Sequence, residues 1–133
     1  MTATIVYEGQ LRTRCTHVES GNAIITDAPR DNQGNGAAFS PTDLTATSLA
    51  ACMLTTMAIK AKSMDLAFAS AEASVKKIMA ADPRRIAAIE VQITLPASWD
   101  EKLRTIMERV ARHCPVGLSL HPDVDQRISF LYK

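Results

Sequence analysis

Two cysteines in contrasting settings are the residues of this sequence best suited to chemistry. Cys52 lies inside a predicted helix, whereas Cys114 directly precedes Pro115, which ends another predicted helix. A thiol held within a helix stays fixed, and a thiol at a helix break can move. This asymmetry suits a fixed attacking thiolate and a second thiol that later closes a disulfide.

Such a pair of thiols could reduce a hydroperoxide. A thiolate attacks the distal peroxide oxygen, an alcohol leaves, and the resulting sulfenic acid condenses with the second thiol to form a disulfide. The reaction needs a lowered thiol pKa, a nearby cation and a second thiol within disulfide reach. The sequence supplies the thiols and several arginines but not their proximity, and burial of both cysteines as apolar side chains is the structural alternative.

The remaining candidate residues favour structural roles. Cys15 lies in a predicted strand and is expected to be a structural thiol. His17, His113 and His121 show no regular ligand spacing, so we predict no metal site and expect hydrogen-bonded or solvent-facing histidines. The glycine- and asparagine-rich loop at residues 27–36 lacks the spacing of a phosphate-binding loop.

Length and composition predict one globular domain spanning residues 1–133, with 47% hydrophobic residues. A net charge of +1 gives no basic surface for nucleic acid or an anionic membrane. No Cys-x-x-Cys pair supports a zinc-ribbon or thioredoxin-type site. The N-terminus shows no signal-peptide pattern, and the uncharged stretch at residues 44–59 is too short to span a bilayer. We therefore expect a cytoplasmic protein with no membrane partner.

The elements that must position the thiols begin with an antiparallel three-stranded meander, predicted at residues 2–8, 10–18 and 23–26. A helix should follow from Ser40 to about Lys62, because Ser40, Pro41 and Asp43 form a capping-box start. Cys52 falls outside the apolar stripe of this helix. The stripe consists of Ala46, Leu49, Ala50, Met53, Met57 and Ala61.

The second half of the chain predicts a hairpin, a helix and a last strand. Residues 71–80 and 86–95 flank a turn, and the second of these segments alternates cleanly. A second capping box, from Ser98 to Glu101, starts a helix whose apolar face includes Cys114. Residues 126–132 read as a strand. The order β-β-β-α-β-β-α-β indicates an α+β domain.

Two segments of the sequence resemble a known family. The run from Ser40 to Cys52, in which Ser-Pro-Thr-Asp-Leu leads through small residues to Ala-Ala-Cys, resembles the active-site helix of the OsmC/Ohr family. The names abbreviate osmotically inducible protein C and organic hydroperoxide resistance protein. The Cys-Pro-Val at residues 114–116 is similar to the second mark of the family. The order of elements also agrees, so the resemblance covers nearly the whole chain.

The resemblance implies an activity, partners and a cellular role in oxidative stress. Cys52 would be the peroxidatic thiol and Cys114 the resolving thiol of a peroxidase that reduces organic hydroperoxides and, less well, hydrogen peroxide. A dithiol such as dihydrolipoamide, often on a lipoylated protein, would return the electrons, with no metal, haem or flavin. The family resemblance further implies an intertwined homodimer around two central helices, with swapped N-terminal strands.

The charged residues that support the reactive thiol in this family are matched less closely by the sequence. Peroxide-reducing members pair an early-strand arginine with an acid near the helix start, and Arg12 is the best match, with Arg14 as the alternative. The acid commonly follows the proline directly, but Thr42 stands there and Asp43 comes one residue later, where it can also serve as a capping residue. The alternative function is therefore a catalytically weak family member that binds an apolar small molecule or acts in redox stress.

Overall fold

The computed structural model describes all 133 residues, which form two compact units, Met1–Thr45 and Ala46–Lys133. The first unit contains an antiparallel sheet in the order β1-β2-β3, formed by β1 (Ala3–Gly9), β2 (Arg12–His17) and β3 (Ala23–Asp27). The predicted meander is confirmed. Gly9 has a φ of 87°, a left-handed conformation that glycine adopts without strain where the chain turns from β1 to β2.

Helix α1 (Pro41–Ser63) begins in the first unit and continues into the second. The predicted capping box is present: the Asp43 N–H donates to Ser40 Oγ at 3.0 Å, and the Ser40 N–H donates to Asp43 Oδ2 at 2.9 Å. The predicted apolar stripe is confirmed, because its members are the buried residues of α1: Ala46, Leu49, Ala50, Met53, Met57 and Ala61.

The second unit contains a sheet in the order β4-β5-β6, formed by β4 (Glu72–Ala80), β5 (Arg85–Leu95) and β6 (Asp125–Tyr132). Strands β4 and β5 form the predicted antiparallel hairpin, and β6 runs parallel to β5. The parallel pairing requires a crossover, which contains α2 (Glu101–Arg112) and α3 (Pro115–Ser119). The α+β class is confirmed, with one additional short helix.

The core of the second unit joins α1, β5 and α2. The alternating residues of β5 supply Ile89, Val91, Ile93 and Leu95, all at most 1% exposed, and α2 supplies Met107 and Ala111. By length and composition alone α1 could cross a membrane, but core helices pass the same test, and the buried stripe of α1 belongs to this core. The part of α1 from Ala46 onward is therefore packed in the same core as β5 and α2.

The start of α2 differs from the prediction. Ser98 was expected to cap this helix, but Asp100 is the N-cap, and its Oδ1 accepts from the Leu103 N–H at 2.8 Å. Trp99 is buried in the core, which holds the preceding loop in place and lets the helix begin at Glu101. Asp serves as well as Ser in this position because its side-chain oxygen accepts the same backbone N–H.

Candidate functional site

Helix α1 holds Cys52 beside the core without burying it. Cys52 is half-buried, and the next residue, Met53, is fully buried in the stripe. The Cys52 Sγ lies 4.0 Å from the hydroxyl oxygen of Thr56, which donates a hydrogen bond to the Cys52 carbonyl at 2.7 Å. Both contacts follow the i to i+4 spacing of a helix, so the backbone fixes this thiol and leaves it reachable from solvent.

Cys114 lies in the second unit, between the end of α2 and the start of α3. It is fully buried, and its extended backbone (φ −68°, ψ 148°) is the conformation that a residue before proline favours. Pro115 occupies the first turn of α3, and Cys114 is the N-cap of that helix. The Cys114 Sγ accepts the Gly117 N–H at 3.3 Å. Sequence predicted a mobile thiol here, and movement of Cys114 would require this hydrogen bond to break.

The structure brings Cys52 and Cys114 together. Burial raises the pKa of the Cys114 thiol above its ordinary value, and the Gly117 N–H opposes that effect. The neighbouring Cys52 raises the Cys114 pKa further, through its charge and a side-chain hydrogen bond. Of the two thiols, Cys52 is the more accessible and Cys114 is buried. Their roles as attacking and resolving thiol stay predictions.

Arg12 and Asp43, the other predicted site residues, both lie in the first unit. Arg12 forms an ion pair with Asp27, with 3.7 Å between Arg12 Nη2 and Asp27 Oδ2. Asp43 closes the capping box with Ser40. Arg14, the alternative to Arg12, pairs with Glu8 at an exposed position. Their roles in a reaction stay predictions.

Sequence reasoning missed Asp27, Gly117 and Gln126. Asp27 is fully buried, and its Oδ2 also accepts the Ala37 N–H at 2.9 Å. The Gln126 side-chain amide donates to the Gly117 carbonyl at 2.9 Å, next to the N–H that contacts Cys114. The sequence did carry a signal for Gly117, because Pro115 suits the first position of a helix, which makes Cys114 the N-cap and Gly117 the third helical residue, whose N–H an N-cap side chain can accept. Gln126 carried none, since the pattern of β6 does not show that its side chain meets the turn at Gly117.

The remaining cysteine and the histidines make local contacts. Cys15 is half-buried in β2, where its Sγ lies 3.7 Å from the Thr13 hydroxyl oxygen. His17 bonds with Ser20, His113 with the Arg109 carbonyl, and His121 with the Asp123 N–H. No group of three His, Cys, Asp or Glu side chains is placed to hold a metal ion.

A family model described as OsmC-like protein matches residues 34–129. The chain belongs to the OsmC family. A crystal structure from Psychrobacter arcticus, described as an osmotic stress induced and detoxification response protein, shares 50% identity with this OsmC-family chain. The two superpose with a TM-score of 0.94, over 98% of this chain and 95% of the other. The sequence prediction of the family is confirmed.

More distant members share the fold. The OsmC protein of Legionella pneumophila, described as an organic hydroperoxide resistance protein, has a TM-score of 0.78 at 16% identity, covering 98% of this chain and 97% of its own. OhrB of Bacillus subtilis, also named as an organic hydroperoxide resistance protein, has a TM-score of 0.72 at 17% identity, with 98% of both chains covered. A search of curated protein sequences finds no match.

Proposed function

We propose that this OsmC-family protein is a thiol-dependent peroxidase that reduces organic hydroperoxides, and hydrogen peroxide less well. The observation that carries the proposal is the pairing of a half-exposed Cys52 with a buried, interacting Cys114. An attacking thiol must meet a peroxide from solvent, whereas a resolving thiol needs only to meet the first thiol. The distant relatives named for hydroperoxide resistance support the same assignment.

The proposed cycle has three balanced steps. The Cys52 thiolate attacks the distal peroxide oxygen, the O–O bond breaks, and the departing alkoxide takes a proton to become an alcohol. The Cys52 sulfenic acid then condenses with Cys114, forming the S–S bond and releasing water. A dithiol such as dihydrolipoamide, free or on a lipoylated protein, reduces this disulfide by thiol exchange and is itself oxidised to a disulfide.

We assign supporting roles to Arg12 and Asp43. The Arg12 guanidinium would stabilise the thiolate and the developing negative charge on the leaving oxygen, as a cation beside a reacting thiol does. Asp43 would supply the negative charge of the family's acid near the helix start, in addition to Asp27, with which Arg12 is paired in this structure. Asp43→Asn tests the assignment, because an amide oxygen can still cap the helix but carries no charge. The proposal expects a lower kcat/KM with most of the stability retained.

We further propose that the protein works as a cytoplasmic homodimer with intertwined N-terminal strands. Large apolar side chains are exposed in the first unit: Ile5, Val6, Tyr7, Ile24 and Phe39 are each at least 50% exposed. In α1 the outward positions Ser48, Ala51, Thr55 and Ile59 carry no charge. Exposed apolar patches of this kind are typical of surfaces that a second subunit covers.

Turnover with defined substrates tests the activity. The purified protein should consume cumene or tert-butyl hydroperoxide with dihydrolipoamide as reductant. Cys52→Ser should abolish turnover, and Cys114→Ser should consume one equivalent of peroxide and stop at the sulfenic acid. Cys15→Ser is the matched control and should leave turnover intact. Absence of turnover with every dithiol would overturn the proposal.

A second candidate function is the binding of an apolar small molecule without efficient turnover. An open groove of about 290 Å³ in the second unit favours it, with Met64, Leu66, Leu103 and Ile106 as its apolar lining. This candidate predicts a Cys52 that iodoacetamide alkylates slowly at neutral pH. Rapid alkylation of Cys52, with an apparent pKa well below about 8.5, would exclude it.

A further inference from the structure

Gln126 connects the last strand to the turn that holds the buried thiol. It lies on β6, in register with Ile89 of the central strand β5. Its Nε2 donates to the Gly117 carbonyl oxygen at 2.9 Å. Carbonyls in the last turn of a helix have no partner within the helix, so this amide satisfies a group that α3 itself leaves open. A helix of five residues has little stability of its own.

Gly117 passes the restraint on to Cys114. The Gly117 N–H donates to Cys114 Sγ at 3.3 Å. Gly117 therefore accepts a hydrogen bond from Gln126 at its carbonyl and donates one to the thiol from its backbone N–H. There is little space for a side chain at position 117. A Cβ on Gly117 would lie 3.0 Å from Gln126 Oε1, 3.3 Å from Cys114 Sγ and 3.4 Å from Leu49 Cδ1. A larger residue at this position would therefore press on the Gln126 amide and on the thiol.

We infer that Gln126 is a positioning residue for the second thiol: by holding Gly117, it keeps a backbone N–H on Cys114 Sγ and so favours the thiolate that forms the disulfide. The inference rests on the proposed function only for the disulfide step. Hydrogen bonding to the charged form of a group favours that form. Within the turn, only the Gly117 and Val116 N–H groups stabilise the thiolate of the buried Cys114 in this way. Removal of the Gln126 amide should release Gly117 and leave the thiolate less stabilised.

The first test titrates Cys114 as the sole thiol, in a Cys15→Ser and Cys52→Ser background, by far-ultraviolet thiolate absorbance against pH. The background removes Cys52, the titratable group that acts on Cys114. The adjacent His113 is exposed, and its Nδ1 is bonded to the Arg109 carbonyl. Gln126→Met keeps the side-chain length but loses the donor. The midpoint should rise by about one pH unit, the size expected for one hydrogen bond to a charged group.

Two further variants sharpen the test. Gly117→Ala keeps Gln126 but pushes the contacts of the turn apart, and it should also raise the midpoint. Arg127→Gln is the matched control on the same strand, because Arg127 is exposed and pairs with Asp125 and Glu90. Trp99 fluorescence verifies that each protein is folded, since Trp99 is the sole tryptophan and is buried in the same unit. An unchanged midpoint in folded Gln126→Met, or an equal rise in Arg127→Gln, would overturn the inference.

The second test follows one turnover with all three cysteines present. After mixing with one equivalent of cumene hydroperoxide, alkylation and mass spectrometry separate the sulfenic acid from the disulfide. Gln126→Met should consume peroxide at the parent rate and close the disulfide about threefold to fourfold more slowly, because a tenfold loss of thiolate is partly offset by higher nucleophilicity. A parental closing rate would contradict the inference. If the parent protein does not react with the peroxide, the proposed function fails, and the titration still decides the role of Gln126.

Discussion

Arg12 and Asp27 are direct cross-strand partners, and their side chains form an ion pair where β2 begins and β3 ends. The Asp27 side chain is 1% exposed, whereas that of Arg12 is 39% exposed. Two complementary buried atoms, Arg12 Nε and Asp27 Oδ1, have no hydrogen-bond partner. A two-point contact, which arginine and a carboxylate favour, would use these two atoms as its second donor and second acceptor. The acid that restrains Arg12 is therefore Asp27.

Removal of Arg12 should destabilise the protein more than removal of Arg14. Arg12→Ala leaves the buried Asp27 carboxylate without its ion pair, at a cost of about 1–3 kcal/mol. Arg14→Ala is the matched control, because its pair with Glu8 is exposed and contributes below about 1 kcal/mol. Urea unfolding followed by circular dichroism measures both values. Equal losses of unfolding free energy in the two variants would show that burial of Asp27 does not strengthen its ion pair with Arg12.

The capping box at Ser40 should contribute measurably to the stability of α1. Ser40→Ala and Asp43→Ala each remove one of its two hydrogen bonds and should cost about 0.5–2 kcal/mol. Asp43→Asn keeps an oxygen acceptor and should retain most of the stability. Thermal unfolding of the three variants compares the effects. A loss in Asp43→Asn as large as that in Asp43→Ala would mean that charge, not capping, stabilises the helix start.

Stability should fall as pH rises above the ordinary titration range of a thiol. The folded pKa of Cys114 is raised, chiefly by burial, so between about pH 8.5 and its folded pKa the unfolded chain binds fewer protons than the folded one. The contribution of Cys114 is complete below about pH 8.5 and is lost as pH rises through the folded pKa. Between about pH 8 and 9.5, the melting temperature of Cys114→Ala should fall less steeply with pH than that of the parent protein. Tyr132 titrates above this range, because burial and a hydrogen bond to Glu108 raise its pKa. Parallel slopes in the two proteins would refute the assignment.

A charge on the outward side of α1 should weaken the proposed homodimer. Ile59 is 66% exposed, and Ile59→Glu would place an unpaired carboxylate in an apolar interface. Light scattering at micromolar concentration should show the parent as a dimer and the variant with a monomer fraction that increases on dilution. Arg85→Glu, at the exposed start of β5, is the control and should stay dimeric. A monomeric, active parent would contradict the dimer itself.

Local signals predicted most of the fold. The alternation in residues 86–95 and the 3.6-residue period in α1 identified the buried residues, because each records which side of an element meets the core. The start of α2 was misplaced because Ser98 and Asp100 offer equivalent capping oxygens, and burial of Trp99 decides between them. That decision depends on tertiary packing, which a local pattern does not contain.

The candidate site was predictable only in part. Cys52 and Cys114 were identified from their immediate neighbours in the sequence, and the structure brings them together. Asp27 and Gln126 were missed because each acts through a partner on another element of the fold: a cross-strand arginine in one case, and the turn of α3 in the other. An isolated Asp or Gln in a strand reads as an ordinary polar residue until its partner is known.

The position of β6 at the end of the fold has a consequence for the protein while it is being synthesised. On the ribosome Cys52 and Cys114 both emerge before β6, so the second thiol exists for a time without the strand that supports its turn. The pairing of β6 with β5 joins residues far apart in sequence, so it also forms late in folding, because it requires the larger loop closure. In the nascent chain the turn at Cys114 therefore lacks its contact with Gln126, and the proposed pair of thiols is complete only once the chain has folded through Tyr132.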